Sequence, residues 1–179
     1  MMDQNRAQAT ATPATGLAED DLHAIPEPGP GRTGPETPTE ITGTAGGTLD
    51  LPGLEGDRVA FTIDAHGKPG DCTGTFQVTH VRPDGALFGE FDGTVDWVTR
   101  DGDLVIVTGI VENQDLPALP EGDLIGHRVG ISIRDVPGGQ DKIGWSWAVV
   151  GFDQELPRGT GTIPSFQTTH GDYIIRDAS

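Results

Sequence analysis

Apolar and polar residues alternate with period two along much of the chain, most clearly from Ala86 to Asn113. Leu87, Gly89, Phe91, Gly93, Val95 and Trp97 set an apolar face against Phe88, Glu90, Asp92, Thr94, Asp96 and Val98. Such alternation puts successive side chains on opposite faces of a strand. Thr99-Arg100-Asp101-Gly102 follows, and Asp-Gly between two such runs is a hairpin turn. Leu104–Val111 is apolar on both faces, which suits a strand covered on both sides. The same pattern predicts strands over Val59–Asp64, with Val59, Phe61 and Ile63 together, and over Gly74–Val81, with Phe76, Val78 and His80 together. It continues over His127–Asp135 and over Asp141–Phe152, where Ile143, Trp145, Trp147 and Val149 share a face. Phe166–Thr169 and Asp172–Asp177, with Tyr173 and Ile175 on one face, complete the set. Gly, Pro and Asp cluster between these runs and mark turns. The expected class is all-β: a single antiparallel barrel, or a two-sheet sandwich, of about seven or eight strands.

Composition divides the chain in two. Residues 1–50 hold six Pro, seven Gly and nine Thr and no Phe, Tyr or Trp. Such a segment buries too little apolar surface to offset its ordering entropy. Residues 1–46 are therefore expected to be a disordered acidic tail and 47–179 the β-domain. Within the tail, 16–25 reads as a short helix, with Thr15 as a cap and Pro26 as a stop. Leu17, Leu22 and Ile25 are its apolar cluster, either a linker helix or a plug that docks on the domain.

Charge and cysteine content exclude whole classes of function. The net charge is −17, and the acidity runs through both parts of the chain. Acidic protein repels phosphate backbones and anionic lipid, which argues against nucleic-acid and membrane partners. Cys72 is the lone cysteine, so no intrachain disulfide forms. No apolar run reaches the length of a membrane span, and no hydrophobic segment follows Met1. The chain reads as cytoplasmic, or as secreted if a leader precedes it.

Few motifs carry chemistry. Trp145-Ser146-Trp147 puts two indoles on one face of a strand, and Trp97 ends another apolar face. Indoles fill cores well, but a barrel of about eight strands is just wide enough for one small ligand. Phe61, Ile63, Phe91, Trp97, Trp145 and Trp147 are the expected walls of such a cavity. His80 and Tyr173 are the candidate polar groups for catalysis. His66, His127 and His170 fall at turns without metal-pair spacing, so neither metal nor cofactor is expected. No nucleophile elbow or phosphate loop is present. Asp71 beside Cys72 disfavours a thiolate. Glu90, Asp92 and Asp96 read as a solvated outer face, and Arg134-Asp135 with Asp141-Lys142 as charge pairing at a hairpin end.

Gly74-Thr75-Phe76, His80-Val81-Arg82-Pro83-Asp84-Gly85, Arg128-Val129-Gly130 and Asp141-Lys142-Ile143-Gly144-Trp145-Ser146-Trp147 together resemble a group of small actinobacterial β-proteins over residues 55–177. The resemblance implies the β-fold and brings no assigned activity. Its members are typically secreted and carry paired cysteines; this chain has one cysteine and is expected to depart on both counts. Strand rhythm and Val81-Arg82-Pro83 before Asp84-Gly85 are also similar to β-barrel cyclases of the allene oxide cyclase type. Three readings follow: a module binding a small apolar molecule in a Trp-lined barrel, a cofactor-free natural-product cyclase using the same cavity, or a structural β-module with a filled core. The pattern leaves room for a homodimer.

Overall fold

The computed structural model of the chain describes residues 22–24, 37–152 and 155–178. Seven strands follow one another as a meander: β2 (Thr39–Thr48), β3 (Arg58–Lys68), β4 (Asp71–Val81), β5 (Leu87–Asp101), β6 (Leu104–Asp115), β7 (Arg128–Arg134) and β8 (Lys142–Trp145). The helical turn α1 (Trp147–Val150), β9 (Thr160–Thr162), β10 (Phe166–Gln167) and β11 (His170–Asp177) complete the domain. Nine strands form one antiparallel sheet in the order β10-β8-β7-β6-β5-β4-β3-β2-β11. The sheet curls into a half-barrel, and the fold is all-β as the alternation predicts. A three-residue strand, β1 (Leu22–Ala24), pairs with β9 apart from the main sheet.

The two edges of the sheet are β10 and β11, and only Thr168 and Thr169 separate them in sequence. Thr168 N–H donates to Asp141 O on the β8 side, and Thr169 N–H donates to Gly46 O on the β2 side. One chain segment thus joins both edges. Asp141, 1% exposed, is the clasp of this seam. Its carboxylate accepts from Val136 N–H at 3.1 Å and from Tyr173 N–H at 3.2 Å. Burial, with Asp172 alongside, pushes the Asp141 carboxyl above its ordinary value, against the two backbone donors. The expected pairing of Asp141 at a hairpin end is therefore corrected. Arg134 bonds Asp103 instead.

Two boundaries also change. The expected tail reached residue 46, but Thr39–Thr48 is a full strand between β3 and β11. Its small residues permit close approach: a Cβ at Gly46 would run into the Val59 carbonyl, and one at Gly47 would crowd Phe166 and Thr169. The helix expected over 16–25 is a strand at Leu22–Ala24, and its other positions lie outside the described residues, as do 1–15 and 26–36 of the expected tail.

The inner face carries one apolar core, from Ile41, Phe61 and Ile63 through Phe76, Phe91 and Val107 to Ile131 and Ile143. β6 is buried on both faces from Leu104 to Gly109, as its doubly apolar sequence predicts. Its outer cover is the segment 155–163. That segment lies so close that a Cβ at Gly130 would strike the Thr160 carbonyl, and one at Gly161 the Ser132 hydroxyl.

Candidate functional site

The aromatic residues converge on the inner face at one end of the half-barrel. Phe61 on β3 lies 5.1 Å from Trp145 and 6.2 Å from Trp147, centroid to centroid. Phe91 on β5 meets Trp147 edge-on at 5.2 Å and Phe152 at 6.0 Å. Phe152 stacks on Trp147 at 5.8 Å, and Phe166 on β10 meets Trp145 at 5.4 Å. Tilted and edge-to-face geometries are those aromatic quadrupoles prefer. Phe61 and Ile63 are fully buried, whereas Trp145, Trp147, Phe152 and Phe166 are only half-buried.

The local backbone departs from the single strand expected over Asp141–Phe152. The strand stops at Trp145, and Ser146 continues its pairing by donating its N–H to Gly130 O. The Ser146 hydroxyl also accepts from Gly130 N–H at 3.0 Å. Trp147 then opens α1, which Gly151 ends with φ 68°. The two indoles still meet, at 6.4 Å, because the turn folds back over the inner face. None of the residues in α1, Trp-Ala-Val-Val, is buried.

Trp97 is placed elsewhere, a correction to the expected wall. Val95 pairs with Gly109 and Trp97 with Thr108, so Asp96 is the extra residue of a β-bulge. A one-residue slip exchanges the two faces of a strand. Beyond the bulge Val98 enters the core and Trp97 turns outward beneath Gly159. Its Nε1 is buried without a hydrogen-bond partner among the described residues, as is Ser132 Oγ. Asp96 is likewise not on a solvated face. Its carboxylate accepts from Thr108 Oγ1 at 2.7 Å and from Arg128 Nε at 2.8 Å, with Arg158 at 3.4 Å. Arg128 also donates to Leu156 O and so ties down the covering segment. Asp92 remains outside and accepts from Asn113.

The two polar candidates differ. Tyr173 is buried, and its hydroxyl donates to Phe61 O at 2.8 Å. Burial pushes its phenol well above the ordinary value. His80 follows Phe76 and Val78 on β4, at the rim of the inner face. Its Nε2 lies 2.7 Å from Oδ2 of Asp57, a carboxylate on the chain entering β3 that is only 6% exposed. The imidazole stacks on Phe88 at 4.2 Å, and the Arg82 guanidinium sits 5.3 Å from the Phe88 centroid. Cys72, at the start of β4, is half-buried. Burial raises its thiol, and the fields of Asp96 and Asp71 add to that.

Sequence reasoning did not single out Phe152, Phe166 or Asp57 as site residues. Phe152 closes the apolar run that begins at Trp145, a signal open to use. Asp57 has none, since its partner is 23 residues away. A shallow groove of about 360 Å³ lies on the opposite, outer face, along Thr62, Thr75, Gln77, Asp92 and Glu112, and does not touch the aromatic cluster. Among the described residues no three His, Cys, Asp or Glu side chains gather as a metal site, and no helix is long and apolar enough to cross a membrane. The chain matches no family model, no curated protein and no solved structure.

Proposed function

We propose that the protein binds a small apolar molecule on the aromatic cluster of Phe61, Phe91, Trp145, Trp147, Phe152 and Phe166. One observation carries the reading: four contiguous aromatic rings are only partly buried although they pack directly on a fully buried core. Aromatic surface left open over a packed base is what a preformed apolar site looks like, because an apolar ligand removes that area from water. The partly buried rings favour this reading over a filled structural core.

Trp97→Phe makes the test specific. Trp97 lies on the other face, and its indole N–H has no acceptor among the described residues, so phenylalanine keeps the packing and removes the unrelated fluorophore. In that background a neutral apolar dye, N-phenyl-1-naphthylamine, should quench the remaining indoles saturably. Trp147→Ala should then weaken the dye by about tenfold or more. Absence of saturable quenching in a folded Trp97→Phe protein would refute the reading.

A further inference from the structure

We propose that His80 is a general base serving the aromatic site, positioned by Asp57, for apolar substrates that carry an activated C–H. The proposal rests on the binding reading above and adds chemistry to it. Register brings the imidazole to the site. Phe61 and Phe91 both pair with Val78, two residues before His80 on the same face of β4. The direct partners of His80 are Val59 on one side and Gly89 on the other. Diagonal neighbours on one sheet face lie about 7–8 Å apart, within reach of aromatic side chains. Both flanking diagonals of His80 are therefore members of the aromatic cluster, and Leu116 packs over Gly89 opposite it.

Hydrogen bonding fixes which nitrogen acts. Asp57 is a buried carboxylate and accepts, so Nε2 carries the proton of the neutral ring. The lone pair is then on Nδ1, which has no hydrogen-bond partner among the described residues and is not one of their buried unpartnered atoms. Phe88 stacked on the ring holds its plane, and Arg82 lies against Phe88 rather than against Asp57. A carboxylate that orients one imidazole nitrogen while the other stays free is the arrangement that makes histidine an effective base. Nothing in a purely packing role requires the second nitrogen to stay unpaired.

The substrate class is an apolar carbonyl compound with an acidic α-hydrogen, and the reaction an isomerisation. Nδ1 takes the α-proton, and the C–H electron pair moves into the carbonyl to give an enolate. The imidazolium returns the same proton to a different carbon, so the step needs no oxidant or co-reactant. Asp57 does not touch substrate and is a positioning residue.

The test uses 5-nitrobenzisoxazole, a flat apolar probe, with the full chain. A base removes its C3 proton, the electron pair forms the nitrile, the N–O bond breaks and the phenolate product absorbs visible light. The parent should bind the probe, read by indole quenching, and turn it over with saturation. His80→Gln should keep the quenching and lose on the order of 100-fold in rate. Asp57→Asn should keep binding and lower kcat with KM unchanged, which a merely structural role would not do. Should His80→Gln fail to fold, the kcat and KM of Asp57→Asn decide. Quenching without turnover above free imidazole, or an undiminished rate in His80→Gln, overturns the base and leaves the binding site standing. No quenching overturns both.

Discussion

Two tryptophan regions sit on opposite faces of the same sheet, and they are built to opposite ends. Trp97, past the Asp96 bulge, is sealed between β5 and the segment 155–163, over an ion pair that pins the cover. Trp145 and Trp147, beyond the end of β8, pack on the core from one side and stay open on the other. The residue type is the same and the sheet is the same. What differs is whether a second layer of chain was laid over the face. The comparison teaches that an indole reports a site only through what covers it: a covered indole stabilises the fold, and an open one offers surface to a ligand.

Truncation is the sharpest way to break the comparison. Trp97→Ala should cost about 3–5 kcal/mol in urea unfolding, because the cavity it leaves is walled on both sides. Comparable tolerance of Trp97→Ala and Trp147→Ala would erase the distinction. Next in size, Asp96→Ala should cost about 3 kcal/mol, because it strands Arg128 and the Thr108 hydroxyl under the cover. Limited proteolysis should then cut the segment around residues 155–159 faster than in the parent, and an unchanged cleavage rate there would show that the ion pair does not hold the cover.

The seam between the regions gives a pH readout. The folded Asp141 carboxyl titrates above its unfolded value because it is buried. Its contribution is therefore complete below the unfolded value of about 3.9 and is lost as pH rises through the higher folded value. Urea midpoints should show this loss in the parent between acid and neutral pH. Asp141→Asn should flatten it, and an identical slope in both proteins would remove Asp141 from the account. The smallest effect belongs to the open side. Trp147→Ala should cost only about 1–2 kcal/mol, since a half-buried indole removes less area from water. Calorimetric melting of the two Trp variants side by side checks the ranking.

The hairpin at Ala86–Asn113 was legible because alternation and an Asp-Gly turn are local signals, and β5 and β6 lie there. The strand β2 was not. Thr-Glu-Ile-Thr-Gly-Thr-Ala-Gly-Gly-Thr has the composition of a linker, and only the close approach of β3, β11 and Phe166 gives its glycines a purpose. Trp97 was assigned to the wrong face because alternation continues unbroken through Asp96, whereas the bulge is decided by pairing with β6. Trp145 and Trp147 were correctly paired on a mistaken backbone, since period two and a turn of helix both return a side chain to the same neighbourhood here. The His80–Asp57 contact joins separate strands and leaves no trace in spacing.

The segment that joins the two sheet edges has a mechanical consequence. Ala178 N–H donates to Pro38 O at 2.7 Å, and from there β11 and β2 run antiparallel for eight paired positions, Asp177 with Thr39 through His170 with Gly46. A pull applied between residues 38 and 178 therefore loads a single rung at a time, because the bonds of an antiparallel ladder lie perpendicular to the strands. The sheet opens like a zip along this direction; the force meets the buried Asp141 first at the fifth pair, through its bond from Tyr173 N–H, and Thr169 and Thr168 at the last tooth. Whatever its resistance to heat or urea, the molecule is soft along that one axis and has its stop built in at the far end.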